Sequence, residues 1–198
     1  MKKLFVLSVL AGVALMSVAC AKEPTDALNA AQSALAAAKT AEAADYAPAA
    51  LAAAETAAAA LDAEIKAQAE KFSLTRSYTK AAELAAAAKA AADTAAAEAV
   101  TGKEQMKTEA TTLVAGVRSA VDAAKAALAK APKGKGTAAD LDAMKSDVAG
   151  VETALADMDA AIANGKYKDA KVKAEAAKAT LDKIVADVQA AIDAKKGK

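Results

Sequence analysis

About one residue in three of this 198-residue chain is alanine, and helix breakers are rare, with eight glycines and three prolines. Alanine has the best intrinsic helix propensity and Gly and Pro the worst, so this composition dictates helix over nearly the whole body. It also limits what the helices can build. An alanine buries far less apolar surface than a leucine, and large aliphatic side chains are sparse, so a thick core is out of reach. The expected fold is all-α: an elongated antiparallel helical bundle of about five long helices, arranged as two three-helix units that share a long middle helix.

Apolar spacing places the helices. Thr25 is the expected N-cap and Asp26 a favourable first-turn acid for a helix running to about Asp45, with Leu28, Ala31, Leu35 and Ala38 along one face. Asp45-Tyr46-Ala47-Pro48 interrupts it, because proline suits the first turn of a new helix and drives the residue before it out of helical geometry. The second helix carries Leu51, Ala54, Ala58, Leu61, Ile65, Gln68 and Phe72 at alternating spacings of three and four, the mark of a coiled-coil-like seam. A second reversal is expected within residues 71–77. A long helix then follows to about Lys130, with Gly102 and Gly116 as weak points where it could bend.

Residues 131–136 (APKGKG) form the strongest loop signal, and Thr137 with Asp140 reads as a capped helix start. The next seam is Leu141, Met144, Val148, Val151, Leu155, Met158 and Ile162, closed by Asn164-Gly165, which tolerate a left-handed C-cap. A last helix over about residues 166–195 presents Leu181, Val185, Val188 and Ile192. Tyr78, Ala81, Ala85, Ala88 and Lys89 recur at the same spacing as Tyr167, Ala170, Ala174, Ala177 and Lys178. Each set follows an expected reversal, so the likeness reads either as the third helix of a repeated three-helix unit or as chance similarity within an alanine-rich chain.

The first twenty residues differ in kind from the rest. Met1-Lys2-Lys3 is a short positive region, and Leu4 to Leu15 is an apolar run of about twelve residues, short of the roughly twenty needed to span a bilayer, so it reads as a secretory signal. Met16-Ser17-Val18-Ala19-Cys20 resembles the lipobox of bacterial lipoprotein precursors, with Ser17 where that family usually has Leu. The resemblance implies a leader of residues 1–19, cleavage before Cys20, and acylation of Cys20, the only cysteine in the chain. Residues 20–24 would be a lipidated tether, 25–102 the first three-helix unit, and 103–198 the second, with a basic tail. Several acyl chains give stable anchoring, since each buried methylene contributes about 0.8 kcal/mol. Ala21 stands where the retention signal of some Gram-negative inner-membrane lipoproteins would be Asp, which implies the outer membrane.

The body offers little chemistry. Of 26 basic and 25 acidic side chains, Lys2 and Lys3 lie in the leader and no acid does, so the remainder is nearly neutral. That argues against nucleic acid as a partner, because phosphate binding needs a basic surface. Histidine is absent and the single cysteine is committed, which removes the usual transition-metal ligands and the commonest general base. No catalytic residue, cofactor or metal site is expected. Asp140 and Asp142, or Asp157 and Asp159, stand two apart on a helix and point in different directions. Tyr46, Tyr78 and Tyr167 lie near helix ends, where an aromatic ring can close a thin core while its hydroxyl meets water.

The Ala-rich helix, the Tyr46-Ala47-Pro48 corner, the following Leu51 and the Tyr78-x-x-Ala81 restart resemble a family of helical bacterial envelope modules of unknown function, often joined to OmpA-like peptidoglycan-binding domains. The acylated N-terminus, heptad spacing and terminal Lys198 resemble, more loosely, the major murein lipoprotein family. That second resemblance implies a covalent peptidoglycan link through Lys198, although Lys196-Gly197 does not match that family's ending. The expected function is a non-enzymatic outer-membrane lipoprotein, anchored by lipid and acting as a structural or adaptor element in the periplasm. Peptidoglycan or envelope proteins are its expected partners, and homo-oligomers are open to it because heptad seams can close within or between chains. The alternatives are a wall tether through Lys198 and a helical module that holds a lipid or apolar ligand.

Overall fold

The computed structural model describes residues 22–132 and 138–196. Among them are six α-helices and no strand: α1 (Thr25–Thr40), the single-turn α2 (Ala43–Tyr46), α3 (Pro48–Ala69), α4 (Thr79–Lys130), α5 (Ala138–Ala163) and α6 (Tyr167–Lys196). The chain divides into two compact units between Thr101 and Gly102, inside α4. The helix is unbroken at Gly102 and Gly116, where the sequence suggested a bend.

In the first unit Ala31 of α1, Leu61 of α3 and Ala81 of α4 meet in one cluster, while Ala38, Leu51 and Ala95 meet in another. Early α1 therefore lies beside late α3 and early α4, so α3 runs antiparallel to both its neighbours. Apart from Leu51 and Leu61 the buried apolar residues of both clusters are alanines. Two interhelical ion pairs flank them, Lys39 with Glu55 at 2.9 Å and Lys80 with Glu64 at 2.8 Å.

Three local expectations need correction. Thr25 is not the N-cap; Pro24 is, and its carbonyl accepts from the Leu28 N–H at 3.0 Å. Helix α1 stops at Thr40 rather than continuing to Asp45, because Glu42 takes a left-handed conformation (φ 61°). That break starts α2, which turns Ala43 and Ala47 into the core. Phe72, which continues the apolar spacing of α3, is exposed, since α3 ends at Ala69. Pro48 opens α3 as expected, and Ala47 before it leaves helical geometry (φ −145°, ψ 53°).

The second unit packs larger side chains. Val117 and Val121 of α4, Val148, Val151 and Met158 of α5, and Leu181 and Ile184 of α6 form its main core. Ala110, Ala161 and Ala170 meet at one end, so α5 runs antiparallel to α4 and α6. Ile184 is more deeply buried than Val185, its neighbour on the expected seam. Asn164-Gly165 ends α5 as expected. Gly165 is left-handed (φ 73°), its N–H donates to the Ile162 carbonyl at 3.1 Å, and the Lys166 N–H donates to Ala161 at 2.8 Å. These two bonds make a Schellman C-cap. Thr137, the expected cap of α5, lies outside the described residues.

The two units share one plan. Leu51, Ala54, Ala57, Ala58 and Leu61 of α3 have the spacing and inward placement of Val148, Val151, Ala154, Leu155 and Met158 of α5. Leu28, Ala31, Leu35 and Ala38 of α1 likewise match Val114, Val117, Val121 and Ala124 of α4. The likeness of Tyr78 and Tyr167 extends inward through Ala92, Ala95 and Ala99 against Leu181, Ile184 and Val188, all buried. Outside, Lys89 bonds Asp93 and Lys178 bonds Asp182, each at 2.6 Å. The second unit is thus the same three-helix arrangement with heavier side chains.

Candidate functional site

Cys20 and Lys198, the two residues singled out from the sequence, lie outside the described residues. Lys22, two residues after Cys20, is followed closely by α1. At the other end, Lys195 and Lys196 occupy the last turn of α6, where cations suit the negative end of the helix dipole.

The most distinctive local construction is the turn between α3 and α4. It holds the longest alanine-free run in the chain, residues 70–80. Without alanine the helix yields to side chains that compete for the backbone. The Arg76 guanidinium reaches back over the end of α3, donating from Nη2 to the Ala69 carbonyl at 2.8 Å and from Nε to the Lys71 carbonyl at 3.0 Å. A cation at that position satisfies carbonyls that the helix leaves open. Thr75 donates both its N–H and its hydroxyl to the Phe72 carbonyl, each at 2.8 Å, closing a 3-10 turn over Ser73–Thr75.

Gln68, the buried polar residue of the α3 seam, ties this turn to the helices. Its Nε2 donates to Glu64 Oε1 at 2.6 Å, and its Oε1 accepts the Ser77 N–H at 3.1 Å. Glu64 also pairs with Lys80, and the Lys80 and Gln68 hydrogen bonds hold its carboxyl below the ordinary value of 4.5. The same partnership raises the Lys80 ammonium above its ordinary value. The result is a braced turn that leaves Phe72 70% and Leu74 71% exposed. The seam pattern could not signal this, because Phe72 continues its spacing; the loss of alanine was the available signal.

A second feature lies in the second unit, a surface cleft of about 380 Å³ between α4 and α5. Leu128 and Val148 contribute apolar lining, Lys145 stands beside them, and Lys125 pairs with Glu152 at 2.5 Å.

Several of the remaining candidates sit in ion pairs or against core clusters. Asp159 accepts from Arg118 at 2.6 Å, an α4 to α5 contact, and Asp142 pairs with Lys145 on its own helix at 2.8 Å. Lys171 and Glu109 pair at 2.7 Å, and that bond raises the Lys171 ammonium. Tyr46, Tyr78 and Tyr167 each pack, half-buried, against an alanine-rich end of a core cluster. Among the described residues no group of three or more His, Cys, Asp or Glu could hold a metal ion, and no helix is long and apolar enough to cross a membrane. No family model, curated protein or solved structure matches the chain.

Proposed function

We propose that this protein is a non-enzymatic lipoprotein of the outer membrane, a helical structural or adaptor element held by an acylated Cys20 and facing the periplasm. The observation that carries the reading is the placement of the chain's sole cysteine directly after a basic start, an apolar run and small residues. The folded body supports it. Its cores are filled by alanine and aliphatic side chains, and carboxylates such as Glu55, Glu109 and Asp159 are engaged by lysines or arginine on neighbouring helices. Such a body offers partners a patterned helical surface. The lack of histidine throughout the chain removes the side chain best suited to proton transfer near neutral pH.

Fractionation of a Gram-negative host tests this. The wild-type chain is expected in the outer-membrane fraction and to need detergent for release, while Cys20→Ala is expected to leave that fraction. Release of the wild type by osmotic shock without detergent would contradict the reading.

A second reading, a module for an apolar ligand, draws on the cleft between α4 and α5, where Leu128 and Val148 suit an apolar chain and Lys145 an acidic head group. Native mass spectrometry separates the two: a bound lipid lost in Val148→Asp supports the ligand reading, and a bare protein mass removes it.

A further inference from the structure

We propose that the turn between α3 and α4 docks in the membrane–water interface beside the Cys20 anchor, seating the first unit on the bilayer by that end. The proposal rests on the lipoprotein reading of Cys20. Phe72 and Leu74 are two of the large hydrophobic residues exposed among the described residues, and they stand two positions apart on one turn. The bonds from Arg76 to Ala69 and Lys71, from Thr75 to Phe72, and from Ser77 to Gln68 hold the backbone that projects both side chains into solvent. A turn fixed this way cannot fold its apolar residues inward; they need an external apolar partner to leave water.

Placement selects the partner. Ala27, Leu28 and Ala31 of early α1 share a cluster with Ile65 of late α3 and with Tyr78 and Ala81 of early α4. The start of α1 and the turn therefore occupy the same end of the unit. Cys20 precedes Thr25 by five residues, a reach of at most about 18 Å even when fully extended. An acyl chain on Cys20 would hold this end, rather than the Tyr46-Ala47-Pro48 corner, near the lipid. The turn's composition fits an interfacial site. Phe72, Leu74 and Tyr78 lie on or beside the turn with Lys71, while Arg76 is engaged with the α3 carbonyls and Lys80 with Glu64. Aromatic and leucine side chains seat at the boundary of head groups and acyl chains while cations meet anionic lipid.

The chain has no tryptophan, so Phe72→Trp creates a single fluorescent reporter at an exposed position. The acylated full-length mature protein would be reconstituted in vesicles of phosphatidylethanolamine and phosphatidylglycerol, with and without brominated acyl chains. Ala49→Trp, exposed at the opposite end of the unit, is the reference, and Leu74→Trp repeats the measurement should the first variant fold poorly. Blue-shifted emission that brominated lipid quenches from positions 72 and 74, and not from 49, is the expected result. Equal emission and quenching at both ends, with acylation of Cys20 confirmed by the mass of the same sample, overturns the proposal and leaves the lipoprotein reading intact. A blue shift without quenching by brominated lipid also overturns it, and assigns the turn to a protein contact. An unacylated Cys20 overturns the underlying reading instead.

Discussion

Two glycines with similar empty surroundings should respond to the same substitution in opposite directions. Beyond the local backbone and the neighbouring residues, nothing lies within 4 Å of where a Cβ would stand on Gly165 or on Gly116, so neither substitution meets a tertiary clash. Gly165, at φ 73°, closes the Schellman cap of α5, and Gly165→Ala should cost about 1–2 kcal/mol in chemical denaturation through backbone strain alone. Gly116 is inside α4, and Gly116→Ala should stabilise by about 0.5–1 kcal/mol. Glu64 provides a pH test at the same scale. Its folded carboxyl lies below 4.5, so its contribution to stability is complete above that value and is lost as acid carries the pH down through the lowered one. A carboxyl titration followed by NMR should show a midpoint below 4.5, moving back toward 4.5 in Lys80→Ala. A midpoint unchanged by Lys80→Ala would remove the ion pair from the account. Glu42 shows what single residues conceal: nothing in Ala41-Glu42-Ala43 announces a left-handed residue, and burial of Ala43 and Ala47 overrides good local helix propensity.

Among the helices, the seams of α3 and α5 were legible because leucine, valine, isoleucine and methionine repeat at three and four. The α3 seam misled only past Gln68, where Gln68, Ser77 and Arg76 spend their hydrogen bonds on ending the helix. In α6, Ile184 and Val185 are adjacent and both apolar, so spacing alone did not decide which goes deepest. The core of late α4 rests on Val114, Val117 and Val121, a short seam inside a long alanine-rich stretch. The shared plan of the units yields a reciprocal test at matched positions. Ala92 and Leu181 are both fully buried. Ala92→Leu should overpack the first unit at a cost of about 1–3 kcal/mol, and Leu181→Ala should leave a cavity in the second at about 2–5 kcal/mol, each read by denaturation. Stabilisation by Ala92→Leu would mean that the alanine core is loosely packed rather than closely fitted.

For the whole molecule, the difference between the cores predicts a difference in stability. Larger aliphatic side chains bury more apolar area, so the second unit should open less often than the first. Amides of α1 and α3 should therefore exchange faster than those of α5 and α6; the reverse order would show that something other than apolar burial governs the units. The all-α architecture follows from alanine content and scarce breakers, and was legible throughout. The braced turn was visible only as a reversal, because its bracing depends on contacts between side chains and backbone that no spacing rule encodes. The proposed function rests on a residue outside the described fold, Cys20. The most direct measurement is therefore mass spectrometry of the amino-terminal peptide of the mature protein from a Gram-negative host. A chain that begins at Cys20, with diacylglycerol on its sulfur and an acyl group on its amine, is the predicted result. A mature chain that begins at another residue, or a Cys20 that carries no lipid, would contradict the account.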